Sequence, residues 1–123
     1  MKDWFNRHAA RGWASTAFTQ AAFVRIISQP AFSGRTVSVN EVAELLMRNT
    51  AHRKHTLLAL DFGIEEVLGQ CTAGVVGHRQ LTDAFLLTAA IRAGMKLLTF
   101  DTGIRQLLAT EAERQRHVAC LTP

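Results

Sequence analysis

Two carboxylates in the last third of the chain are spaced for shared chemistry. Asp83 lies in the first turn of a run that reads as a helix over residues 83–93, and Asp101 directly follows the apolar run Leu97, Leu98, Thr99, Phe100. A helix of about eleven residues travels roughly 16 Å away from Asp83. A strand over residues 95–100 returns by roughly 20 Å, so Asp101 comes back close to Asp83. Converging carboxylates suit a hard divalent cation, Mg²⁺ or Mn²⁺, which takes one or two carboxylates together with waters and substrate phosphate. Such an ion orients water and stabilises charge on a phosphodiester under attack. The same residues have plainer readings. An Asp in a first helical turn compensates the helix dipole, and an Asp after a strand is an ordinary turn residue. Thr99 and Thr102 flank Asp101, and either hydroxyl can orient a carboxylate or a water; Thr99 also reads as an inward-facing strand residue and Thr102 as a competing cap. His78 and Arg79 precede the Asp83 helix on a loop, where they can touch a phosphate or simply be solvated.

Other chemistries lack their residues. His52 and His55 are three apart, with no cysteine or further histidine beside them, so they read as surface of a polar linker and not as a zinc site. Cys71 and Cys120 form no C-x-x-C pair and read as small buried or loop residues. No G-x-G-x-x-G occurs, which argues against a nucleotide cofactor. Trp4, Trp13 and the phenylalanines read as core; an aromatic platform for bases would need them exposed.

The elements that must position the two acids follow from periodicity and breaks. Residues 2–11 read as a short helix ended by Gly12. Residues 13–18 are strand-compatible. Thr19 is expected to cap a helix over 20–28 that stops near Pro30. Residues 32–37 read as a loop. Ser38 with Glu41 matches a capping box and opens a helix to about Asn49 with Val42, Leu45 and Leu46 facing inward, leaving Glu41 and Glu44 as cap and surface residues. Residues 49–56 are polar and read as a linker, 57–62 as a strand, 64–68 as a short helix and 71–77 as a loop. Thr82 is expected to cap the Asp83 helix, whose Leu86, Leu87, Ala90 and Ile91 form a buried stripe, with Gly94 just past its end. Residues 102–108 read as a further helix and 117–121 as an edge strand. Strands alternating with helices imply βαβ units and a mostly parallel sheet, in which sites gather at the carboxyl ends of strands. Asp61 follows one such strand and ranks below Asp83 and Asp101.

With 123 residues, 48% of them hydrophobic, the chain is one domain's worth of sequence with enough apolar material for a core. Two prolines and 20% charged residues exclude a disordered composition. Two cysteines exclude a disulfide-rich scaffold. No signal peptide or long apolar run is visible, so a soluble cytoplasmic protein without a membrane span is expected. The net charge of +4 comes mostly from arginine and favours anionic partners such as nucleic acid, though no basic block is dense enough for a dedicated arm.

The run GHRQLTDAFLLTAAIRAGMKLLTFDTGI (residues 77–104) resembles the C-terminal half of a PIN domain of the VapC toxin type. Asp83 and Asp101 match that family's two C-terminal metal-binding acids. The segment STAFTQAAFVRIIS (residues 15–28) resembles one VapC subgroup, with Thr19, Gln20, Phe23 and Arg25 matching its T-Q-x-x-F-x-R pattern. The resemblance implies a PIN-like three-layer α/β/α sandwich around a central, mostly parallel sheet, with residues 1–123 forming a single domain. It implies a Mg²⁺- or Mn²⁺-dependent endoribonuclease, the toxin of a type II toxin–antitoxin pair. Its partners would be an RNA substrate such as tRNA or rRNA, a cognate antitoxin, and a second copy in a homodimer. Asp83 and Asp101 would be the catalytic and metal-binding acids. Thr19, Gln20, Arg25, Arg79 and Thr99 would touch substrate or brace the acids; Thr19 also reads as a cap and Arg25 as a snorkelling surface residue.

Two departures from the family pattern set further expectations. Family proteins begin with an apolar strand ending in a metal-binding Asp, and Met1 already matches their second helical region. The fold is therefore expected to be N-terminally incomplete and weakly stable, reorganised or oligomer-dependent, because a missing central strand leaves ladder hydrogen bonds unmade. Many PIN domains also carry a Glu in the helix after the second strand, where this chain has Ala22 or a neighbour. The alternative function is then a catalytically inactive PIN-like domain that keeps a dimerisation or antitoxin-binding surface.

Overall fold

The computed structural model describes residues 11–121. The helix expected over residues 2–11 falls outside them except for Arg11. The described chain divides into two compact units, residues 11–59 and 60–121, each with one pair of parallel strands.

In the first unit, Gly12 turns the chain with φ +99°, a left-handed conformation that favours glycine. A Cβ there would lie 3.4 Å from the Lys54 carbonyl oxygen, and Trp13 N–H donates to that same oxygen at 3.0 Å. Strand β1 (Trp13–Ser15) pairs in parallel with β2 (His55–Leu57), in the register Trp13↔His55 and Ser15↔Leu57. The chain between them forms helices α1 (Ala17–Ile27), α2 (Pro30–Ser33) and α3 (Val39–Thr50).

Several boundaries differ from the sequence reading. Thr16, not Thr19, caps α1: its extended backbone lets its hydroxyl accept Thr19 N–H, while Thr19 Oγ1 accepts Thr16 N–H at 2.8 Å. Thr19 is thus the third helical residue of a reciprocal box. Pro30, with its preset φ, opens α2 inside what reads as the end of a helix and a loop. Ser38 caps α3 as expected, accepting Glu41 N–H at 3.1 Å. Val42 is buried, but Leu45, expected inward, is 42% exposed. The polar stretch read as a linker is partly strand, since His55 and Thr56 belong to β2, which ends at Leu57.

The second unit holds helix α4 (Ile64–Gln70), a 3₁₀ turn (His78–Gln80), helix α5 (Leu81–Arg92), strand β3 (Leu97–Thr99), a 3₁₀ helix (Thr102–Leu107), helix α6 (Glu111–His117) and strand β4 (Val118–Cys120). Strands β3 and β4 are parallel, with Leu97↔Val118 and Thr99↔Cys120 in register. The core joins Val67 and Cys71 of α4, Ala84 and Leu87 of α5, Ile104, Leu107 and Leu108, and Val118. Thr88 is fully buried, and its hydroxyl donates to the Ala84 carbonyl at 2.8 Å, which satisfies it within the helix.

Helix α5 begins two residues earlier than expected, and Thr82 is not its cap. The 3₁₀ turn runs straight into it, and Gln80 Oε1 instead accepts Val76 N–H at 2.9 Å. Gly94, at φ +67°, terminates it as expected. Helix α6 has no counterpart in the sequence reading, because residues 111–117 carry no apolar periodicity. It is held by polar contacts: Thr110 accepts Glu113 N–H, Glu111 pairs with Arg105, and Arg114 donates to the Arg105 and Leu108 carbonyls. The α/β class and the parallel strand pairing agree with the sequence reading; the described strands form two ladders of two.

Candidate functional site

Asp83 sits in the first turn of α5, and Asp101 lies two residues past Thr99, the last residue of β3. The sequence between them is a helix, a glycine turn and a strand, so the chain returns to the level from which it left. Burial pushes the Asp83 carboxyl above its ordinary range, and the neighbouring Asp101 charge pushes it further the same way. Both causes penalise the anion, and the second exists only because the two acids share one electrostatic neighbourhood.

Two hydrogen bonds shape the Asp101 turn. Thr99 Oγ1 accepts Asp101 N–H at 2.9 Å, and Asp101 Oδ1 accepts Gly103 N–H at 2.8 Å. Thr99 therefore braces the backbone of Asp101 and not its carboxylate. Oδ1 caps the following 3₁₀ helix, and Oδ2 has no hydrogen bond to any described residue. The Cys120 thiol, opposite Thr99 on β4, donates to the Asp101 carbonyl at 3.9 Å. Arg79 is exposed in the turn that leads into α5 and has no ion pair among the described residues.

Asp61 does not join this pair. It is held by Arg92 at 3.3 Å, while Arg92 also pairs with Glu66 at 2.6 Å and lies 5.1 Å over the Phe62 ring. Arg92 is the last residue of α5, about 13 Å along the helix from Asp83. Its ion pair thus fixes Asp61 at the opposite end of the element.

Two neighbouring hard oxygen donors fit a divalent cation, which would offset the penalty on the Asp83 anion. The set is a pair: among the described residues no group of three or more His, Cys, Asp or Glu side chains gathers to hold a metal.

The residues of the T-Q-x-x-F-x-R pattern lie in the first unit. Thr19 is spent on the α1 cap. Arg25 is exposed near the end of α1 and has no ion pair among the described residues. Gln20 Nε2 donates to Ser15 Oγ at 2.9 Å, and Ser15 Oγ lies 2.7 Å from His55 Nε2. The His55 ring packs against Trp13 with centroids 4.5 Å apart. His55, read from sequence as linker surface, is thus a bonded member of a polar chain with Ser15. Its partner is 40 positions away, and no local spacing signals the contact.

Among curated proteins, the chain is similar to Ribonuclease VapC38 of Mycobacterium tuberculosis, 35% identical over 104 residues, which span 85% of this chain and 72% of the relative. Ribonuclease VapC44 of the same species is 35% identical over 120 residues, 98% of this chain and 83% of the relative. Ribonuclease VapC39 is 30% identical over 101 residues, 82% of this chain and 73% of the relative. No protein-family model matches. No solved structure matches at a significant level.

Proposed function

Because this chain belongs to the VapC-type PIN-domain ribonuclease family, we propose that it is a metal-dependent endoribonuclease, the toxin of a toxin–antitoxin pair, that hydrolyses RNA phosphodiesters at Asp83 and Asp101. The observation that carries this reading is the placement of two carboxylates in one neighbourhood, Asp83 in the first turn of α5 and Asp101 at the cap that follows β3. Asp83 and Asp101 Oδ2 would hold Mg²⁺ or Mn²⁺. When bound, the ion supplies positive charge against the phosphate and lowers the pKa of water at the site.

The chain's own groups do the rest. Asp101 is held by its Thr99 and Gly103 hydrogen bonds, so it presents an oxygen without reorganising. The partly buried Asp83 stays poised beside it. Arg79, exposed and without an ion pair among the described residues in the 3₁₀ turn that leads into the same helix, supplies a cation for a neighbouring phosphate. Gln20 and Arg25 are further candidate contacts for RNA, with tRNA or rRNA as the substrate class. A cognate antitoxin and a second copy of the chain are the proposed protein partners, and the cytoplasm, where RNA and antitoxin are found, the proposed compartment. Among the described residues no helix is long and apolar enough to cross a membrane.

The test is cleavage of a tRNA pool across a Mg²⁺ titration, with Asp83→Asn and Asp101→Asn beside the parent. Each variant is expected to lose roughly a hundredfold or more in rate. Metal-independent cleavage, or unchanged cleavage by both variants, would overturn the reading. The two-carboxylate donor set among the described residues favours one second reading, an inactive domain retaining partner-binding surface. Its mark is absence of cleavage at every Mg²⁺ concentration together with dimer formation or antitoxin binding.

A further inference from the structure

We infer that the Gln20–Ser15–His55 chain is a substrate-positioning device: it fixes the Gln20 carboxamide so that its carbonyl oxygen accepts a hydrogen bond from a donor group of the RNA, a ribose 2′-hydroxyl or a base amine. The inference rests on the nuclease reading and adds to it the atom through which Gln20 recognises RNA and the kind of RNA group it takes.

Three elements build the device. Ser15 ends β1, Gln20 lies in the early turns of α1, and His55 opens β2. Trp13, Ser15, His55 and Leu57 fall on one face of the parallel pair, since side chains alternate along a strand and Trp13 is in register with His55. Leu57, beside Ser15 at the carboxyl end, is 60% exposed, so this face opens to solvent where parallel strands characteristically meet ligands.

The hydrogen-bond directions decide what is presented. Gln20 Nε2 donates to Ser15 Oγ at 2.9 Å. Ser15 Oγ is in turn hydrogen-bonded to His55 Nε2 at 2.7 Å, which fixes the hydroxyl whichever partner carries the proton. The ring packs against Trp13, and the His55 backbone N–H donates to the His52 carbonyl at 2.9 Å. With its amide nitrogen anchored, Gln20 has its Oε1 left as an acceptor and has no hydrogen bond there to any described residue. A carboxamide serving only the α1 cap would be redundant, because Thr16 and Thr19 already close that cap reciprocally. An oriented acceptor cannot pair with phosphate oxygens, which only accept. It pairs with hydroxyl or amine donors, and an anchored one does so without first giving up rotamer freedom.

The experiment maps the cut site in a tRNA pool, then uses a synthetic oligoribonucleotide spanning it. Parent, Gln20→Met and Ser15→Ala are compared by kcat and KM, with thermal unfolding of each as the check on folding. Gln20→Met is expected to raise KM roughly three- to tenfold with kcat little changed, as loss of one hydrogen bond predicts. Ser15→Ala, which frees the amide to turn, is expected to fall between it and the parent. The oligonucleotide is then scanned with single 2′-deoxy substitutions and with purine analogues lacking the exocyclic amine. One position should weaken the parent by the same factor and leave Gln20→Met unaffected; its chemical type identifies the donor. Parent-like KM in both variants, or a scan with no position silenced by Gln20→Met, overturns the inference while leaving the nuclease intact. Absence of cleavage by the parent overturns the nuclease reading, and this inference with it.

Discussion

The Asp83 carboxyl is held above its ordinary range by burial and by Asp101, so in the absence of metal its ionised form is a cost to the native state. The native chain binds this proton more tightly than the unfolded chain does. The penalty is therefore absent below the unfolded value, grows as pH rises, and is complete above the folded value. Asp83→Asn, measured in EDTA, is expected to melt a few degrees higher than the parent at neutral pH, with the gap closing on acidification through the carboxylate range. A neutral-pH melting point below the parent's would show that Asp83 is structural. Asp101→Asn should keep the turn, because an Asn oxygen can accept the Gly103 N–H that Asp101 Oδ1 now accepts. The pairing of these two acids was legible from the intervening helix-and-strand length. The engagement of Asp61 by Arg92 was not, since it depends on which end of α5 the preceding loop reaches.

Helix starts separate what short motifs can say from what they leave open. Ser38 with Glu41 opened α3 as its spacing suggested, whereas Thr16 displaced Thr19 as the cap of α1 because β1 ends one residue before it, in the extended backbone that a cap requires. Thr16→Ala is expected to destabilise the chain by about 1 kcal/mol in urea unfolding, with Thr19→Ala costing no more because its hydroxyl supplies the reciprocal half. In α5 the fully buried Leu87 sits in the core of the second unit, and Leu87→Ala should cost about 2–5 kcal/mol by the same measurement. Helix α6 escaped a periodicity reading for a physical reason: Thr110, Glu111 and Arg114 hold it through polar bonds, and such bonds leave no 3.6-residue apolar signature.

Across the whole molecule the net charge is +4, which should make RNA binding salt-dependent through counterion release. With Asp83→Asn to suppress turnover, the affinity for a single-stranded oligoribonucleotide is expected to fall roughly tenfold or more between 50 and 200 mM salt, as about three neutralised phosphates would give. A flat salt response would place binding in uncharged contacts alone. Composition, the alternation of strands with helices and the run over residues 77–104 sufficed for the α/β class, for the family and for the nomination of Asp83 and Asp101, because each of these rests on local order along the chain. Which residues meet across long separations was settled by folding: His55 reaching Ser15 over 40 positions, Arg92 taking Asp61, and the described strands dividing into two parallel pairs. Such contacts depend on strand register and on which helix faces find cover, and neither leaves a mark within the few residues over which sequence periodicity can be read.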